Sequence, residues 1–260
     1  MPKRDKGGIA FVPFSFPFVL WDNFKAIWRK PMEKDTMGVG LKEGSWWNGK
    51  LWFAYGTSIT SEMMGNYVPY LKEFSGLKCV NRGFPGGGIG NFGEQSRGEV
   101  KKLIFEDDGK DKADLITLEV GANDAGENVP LGTIYDADEN TLCGCLNLCI
   151  RHLQKVSKAQ IVIIASPVPR ADPADYKSYY ETAFLFEKIA FINRVWFIKG
   201  NSTLGFGRVE DDLGLYLKDD SILGLKYDIH QTKVAGYNLA QSIWAELKHI
   251  PLFYVKLPNR

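Results

Sequence analysis

The chain has 260 residues, 45% of them hydrophobic and 24% charged, which is enough to bury one sizeable core. Its 32 basic and 31 acidic residues leave a net charge of +1, and no basic stripe is interleaved with aromatics, so nothing argues for a nucleic-acid partner. No run reaches the ~18 apolar residues of a membrane span.

Residues 1–48 are rich in aromatics, proline and glycine and show no long hydrophobic period. They read as an N-terminal extension packing on the domain that follows, with one short helix near Asn23–Arg29. Residues 8–21, GIAFVPFSFPFVLW, are apolar and follow basic residues, as the core of a signal peptide would. Pro13 and Pro17 interrupt the run and no small-x-small cleavage site follows, so an extended segment seated on the domain is the better reading. The compartment stays open between cytoplasmic and exported without a clear signal.

The pattern becomes regular from Gly49, and residues 49–260 read as one domain. Leu51–Tyr55 (LWFAY) predicts a buried strand, with a helix from about Ser61 to Phe74 after a turn. Lys78–Asn81 predicts a second strand, then a glycine-rich loop, then a helix from about Gly93 to Ile104. Asp114–Val120 (DLITLEV) is a third strand, followed by a helix over Glu139–Lys155. Gln160–Ser166 (QIVIIAS) is a fourth, almost wholly apolar as when both faces are covered. A helix over Asp175–Asn193, a strand over Val195–Ile198 and a helix over Lys233–Lys248 complete the series, the last with Leu239, Ile243, Trp244 and Leu247 on its apolar face. This alternation predicts a parallel sheet with helices on both sides. Ligands of such folds bind beyond the carboxyl ends of the strands.

The cysteines Cys79, Cys143, Cys145 and Cys149 include no C-x-x-C, and the three histidines are scattered, so a zinc site lacks its spacing. Cys145 and Cys149 share a register with Leu142, Leu146, Ile150 and Leu153, as small core residues of an amphipathic helix do. Trp46, Trp47 and Tyr55 near the first strand suit either a stacking surface for substrate or a seal over the core.

The segment Gly86–Gly93, GGGIGNFG, contains a literal G-x-G-x-x-G at Gly88, Gly90 and Gly93. A dinucleotide fingerprint needs that motif to open a helix, with an acid at the end of a second strand about 20 residues on. Asp108 lies at that distance, but in the polar loop EDDGK, and a better first strand ends before Ser58. The glycines instead suit close approach of backbone to a reacting carbonyl.

Four strand ends carry chemical groups. GTSIT follows the first strand and presents Ser58 in a turn. NRGFPG runs from Asn81 to Gly86 after the second. GAND follows the third and carries the Asn123 amide. YDIHQT, before the last helix, holds His230. A serine becomes a nucleophile when a base takes its proton, and backbone N–H groups with an amide side chain can hold the resulting oxyanion.

In their order of Ser, Gly, Asn and His, these four blocks resemble the SGNH/GDSL hydrolase superfamily. The resemblance covers roughly residues 50–248 and looks closest to a bacterial and phage-associated branch. It implies a flavodoxin-like three-layer α/β/α sandwich around a mostly parallel five-stranded sheet, and ester hydrolysis without a metal or organic cofactor. It implies Ser58 as nucleophile, His230 as base, and Ser58, Gly86 and Asn123 as oxyanion donors. The substrate it suggests is a small acyl ester, acetyl in particular, on a carbohydrate.

Two residues depart from the family pattern. Thr57 stands where the first block usually has aspartate. The orienting acid, normally three residues before the histidine, is replaced by Tyr227, with Asp228 two before. Either Asp228 reaches His230 or a Ser-His dyad uses another acceptor. Two other functions remain open on this reading: a non-catalytic carbohydrate-binding or structural module on a degenerate hydrolase fold, and a lipase or thioesterase for longer acyl chains.

Overall fold

The computed structural model describes residues 45–63, 67–93, 96–124, 129–166, 173–200 and 233–250. The expected helix near Asn23–Arg29, the remainder of the extension through residue 44, and the loop of Tyr227, Asp228 and His230 lie outside these residues.

Five strands form the sheet: β1 (Leu51–Gly56), β2 (Lys78–Gly83), β3 (Leu115–Val120), β4 (Gln160–Ala165) and β5 (Trp196–Ile198). Their order is β2-β1-β3-β4-β5 and every neighbouring pair is parallel. This is the doubly wound, flavodoxin-like order, in which the sheet is entered at β1 and extended to both sides. The helices are α1 (Tyr67–Ser75), α2 (Glu99–Glu106), α3 (Leu142–Val156), α4 (Pro173–Asn193) and α5 (Lys233–Leu247).

Strand periodicity sorts the side chains into two cores. Phe53, Tyr55, Ile116, Leu118, Ile161 and Ile163 face α2, α3 and α4. Trp52, Ala54, Leu115, Val162 and Ile164 face α1 and α5. The apolar stripe read on the last helix, Leu239, Ile243, Trp244 and Leu247, is buried in this second core. Cys145 and Cys149 are buried on α3 beside Leu146, Ile150 and Leu153, and all four cysteines are free thiols. The N-terminus of α3 is capped by Thr141, whose hydroxyl accepts the Gly144 N–H at 3.1 Å. Among the described residues no helix is long and apolar enough to cross a membrane.

Two aromatics near β1 belong to the core. Trp47 is fully buried against α5 and its indole N–H donates to the Leu247 carbonyl at 3.0 Å. Tyr55 is buried on the opposite face of the sheet. Trp46 is half exposed, with its indole N–H tied to the Ile250 carbonyl at 3.0 Å.

Two helices begin about six residues later than the sequence reading, and the helix read from Glu139 begins at Leu142. The first helix begins at Tyr67, because residues 57–61 are held in turns by hydrogen bonds to the Thr57 carbonyl and side chain. The helix expected from Gly93 begins at Glu99, because a short antiparallel ribbon, Asn91–Gly93 with Ser96–Arg97, comes first.

Candidate active site

The register of the sheet brings three of the four blocks together. Gly56, the last residue of β1, lies opposite Gly83 of β2 on one side and Glu119 of β3 on the other. The Ser58 turn, the Gly86 loop and the Asn123 turn therefore leave the sheet from nearly the same level, at its carboxyl edge. Ser58 is 2% exposed, at the centre of a turn in which the Thr60 and Ser61 N–H groups both donate to the Thr57 carbonyl.

The second block is stitched to this turn. Asn81 Nδ2 donates to the Thr60 carbonyl at 2.7 Å, while its Oδ1 accepts the Gly83 N–H at 2.8 Å. The Phe84 N–H donates to the Gly56 carbonyl at 2.9 Å. A Cβ on Gly83 would run into the backbone of Thr60 and Ser61, so only glycine permits this approach.

Gly86 is glycine for a different reason. The Gly87 N–H closes a β-turn onto the Phe84 carbonyl at 3.0 Å, with Pro85 at the second position and Gly86 at φ 75° in the third. A Cβ there would meet open space, so backbone conformation, not crowding, selects the residue. Asn123 lies across from this loop and its Nδ2 donates to the Gly87 carbonyl at 2.8 Å.

The rest of the glycine loop is held by Asp124, the last letter of GAND. Its buried carboxylate accepts the Ile89 N–H at 3.0 Å and the Gly90 N–H at 3.2 Å. The backbone donors that a pyrophosphate would need are thus directed at a protein carboxylate. A ribbon, not a helix, follows the motif, and Asp108 sits between α2 and the next short helical turn instead of at a strand end. The loop does not have the arrangement that a dinucleotide site requires.

Glu119 was not singled out in the sequence. It is fully buried at the end of β3, on the face covered by α1 and α5. Its Oε2 accepts the Thr57 N–H at 2.9 Å, Thr57 Oγ1 at 2.8 Å and Thr60 Oγ1 at 3.2 Å. Its Oε1 accepts the Ser166 hydroxyl, and Ser166 Oγ in turn accepts the Ala122 N–H at 3.0 Å. Burial pushes the carboxyl above its ordinary value, and the Ser166, Thr57 and Thr60 hydrogen bonds oppose that shift. An acid near the carboxyl end of the buried strand in DLITLEV was the available signal for it. His230 and Asp228, the remaining expected site residues, lie outside the described residues.

No family model and no curated protein matches the chain. Solved structures do. A protein from Lactobacillus plantarum superposes with a TM-score of 0.65 at 19% identity, over 78% of this chain and 99% of that one. An acetylxylan esterase from Geobacillus stearothermophilus gives 0.53 at 17% identity, over 80% and 98%. A lipase/acylhydrolase from Enterococcus faecalis gives 0.52 at 16% identity, over 76% and 95%. The sheet order and the likeness to these structures show that the chain shares their three-layer α/β/α fold.

Proposed function

We propose that this protein is a serine esterase that hydrolyses a small acyl ester, acetyl in particular, carried on a carbohydrate. The observation that carries the reading is the convergence of the Ser58 turn, the Gly86 loop and the Asn123 turn at one edge of a parallel sheet. The likeness to an acetylxylan esterase and to a lipase/acylhydrolase supports the same chemistry.

In the proposed reaction Ser58 Oγ attacks the ester carbonyl and His230 takes its proton. The Ser58 and Gly86 N–H groups and the Asn123 amide stabilise the tetrahedral oxyanion. An amide nitrogen carries two hydrogens, so the bond to the Gly87 carbonyl fixes the plane of Asn123 and leaves a second donor for the oxyanion. His230 then protonates the leaving alcohol, which departs and leaves an acyl-serine. A water, deprotonated by His230, releases the acid and restores Ser58. Asp228 orients His230 and stabilises its cation.

The test is hydrolysis of p-nitrophenyl acetate and longer-chain esters by the protein and by its Ser58→Ala variant. Acetate should be the preferred ester, and Ser58→Ala should lower the rate by roughly 10⁴-fold or more. A preference for long chains would replace the acetyl reading with a lipase or thioesterase. No hydrolysis by a folded protein would sink the esterase reading and favour the binding module. Asp228→Asn should cost on the order of 10⁴-fold if a triad operates, and far less if His230 works in a dyad.

A further inference from the structure

We propose that Glu119 is a positioning residue of this site, taking over at the end of β3 the acid that the first block lacks at Thr57, and that it holds the Ser58 and Asn123 turns in a fixed relation. The proposal rests on the esterase reading and adds to it a residue that touches no substrate.

The sheet face of Glu119 is lined by Trp52, Ala54, Leu115, Val162 and Ile164, so packing alone would favour an aliphatic side chain. A buried acid is retained only where donors surround it. Here those donors come from the ends of separate strands. Thr57 and Thr60 follow β1, and Ser166 follows β4. Through Ser166 the carboxyl also reaches Ala122, the residue before Asn123.

The effect on the nucleophile turn is specific. Thr57 Oγ1 donates to Glu119 and accepts the Ile59 N–H at 3.3 Å. The Thr57 N–H goes to the same carboxylate oxygen. The peptide N–H groups on both sides of Ser58 are thereby tied to one buried group. That fixes the direction of the Ser58 N–H, the proposed oxyanion donor between them. On the other side the Ser166 bridge fixes the backbone leading into Asn123. Gly56 completes the arrangement: a Cβ there would press on Thr60 Oγ1 and on the Glu119 carboxylate itself. An oxyanion hole depends on donors held in place before the charge develops. Glu119 is bonded directly to the Ser58 turn and, through Ser166, to the backbone leading into Asn123.

The experiment compares Glu119→Ala, Glu119→Gln and Ser166→Ala with the wild type. It measures kcat and KM for p-nitrophenyl acetate separately, and amide hydrogen exchange at Thr57, Ile59 and Ala122. Misdirecting the oxyanion donors should make Glu119→Ala lose roughly 10²–10³ in kcat with KM nearly unchanged. Glu119→Gln should recover most of that loss. Its carbonyl can still accept from Thr57 and Thr60 while its NH2 donates to Ser166 Oγ. Ser166→Ala, which cuts the link to Ala122 alone, should cost about 10-fold in kcat and speed exchange at Ala122 but not at Thr57. If Glu119→Ala does not fold, the Gln and Ser166 variants carry the test. Wild-type kcat in Ser166→Ala, or in a folded Glu119→Ala, would overturn the proposal. So would a loss that falls on KM alone. If the wild type itself hydrolyses none of the esters, the esterase reading fails separately, and exchange at the three amides still judges the positioning. Exchange unchanged in all variants would refute it.

Discussion

Strand β3 carries an acid at each end, and the two do different work. Asp114 precedes the strand at the amino edge of the sheet. It accepts the Leu51 N–H at 2.9 Å and pairs with Lys50 at 3.5 Å, with the Lys50 and Asp114 side chains 41% and 30% exposed. Its own N–H donates to the Leu51 carbonyl, and its carbonyl accepts the Gln160 N–H. Asp114 therefore fixes the register of β3 against β1 and β4 in a place where water already solvates the charge. Glu119, five residues on, is fully buried and surrounded by hydroxyl and amide donors. The same chemical group is a modest aid at one end of the strand and the hub of a closed network at the other. Solvent access makes the difference: an exposed carboxylate can exchange protein donors for water, and a buried one cannot.

Alanine at each acid gives the largest contrast. Glu119→Ala leaves several buried donors without an acceptor and should cost about 3–5 kcal/mol in urea unfolding. Asp114→Ala should cost about 1 kcal/mol, because water replaces the lost acceptor. Equal losses would mean that the two ends of β3 do not differ as described.

Next in size is Gly83→Ala, which drives a methyl into the backbone of Thr60 and Ser61 at the same edge as Glu119. Either the β2 end or the Ser58 turn must shift, at about 1–3 kcal/mol and, on the proposed function, with a fall in ester hydrolysis larger than the stability loss explains. The control is Gly109→Ala, at the remote end of the sheet near Phe53. It is strained through its φ of 82°, and it should destabilise while leaving the activity of the folded fraction intact.

A pH comparison sharpens the distinction further. Burial raises the Glu119 carboxyl above its ordinary value. The stability it contributes is then full below the unfolded value, about 4.3, and is lost as the pH rises through the folded one. Glu119→Gln cannot ionise, so its stability relative to the wild type should improve between about pH 4 and pH 8. A relative stability that stays flat over that range would mean the network accommodates the ionised form without cost. The smallest effect is expected at the amino edge: Asp114→Asn keeps an acceptor for the Leu51 N–H and should lose only about 0.5 kcal/mol, most of it the exposed pair with Lys50. That loss should fade in high salt.

The strands and most helices were legible because their signal is local. LWFAY, DLITLEV and QIVIIAS are apolar runs of strand length, and α3 and α5 repeat their apolar residues at helical spacing. The placement of Ser58, Gly86 and Asn123 at the carboxyl edge of the sheet was legible because each follows a strand. The short ribbon before α2 was not, since two- and three-residue strands have too few side chains to show a period. The late start of α1 was missed because long-range bonds hold the Ser58 turn, among them Asn81 to the Thr60 carbonyl.

The sequence by itself determined the order of strands and helices, the two-sided core and the residues offered at the ends of three strands, because hydrophobic period and turn chemistry act over a few neighbouring residues. Only the tertiary structure decided what those residues do to one another. It turned the G-x-G-x-x-G loop onto Asp124, drew a separate reason for glycine at Gly83 and at Gly86, and joined Thr57, Thr60 and Ser166 at Glu119. The hydrogen bonds among them span 34 to 62 residues. They form only when parallel register brings separate strand ends to one level and excludes the water that would otherwise satisfy each group alone.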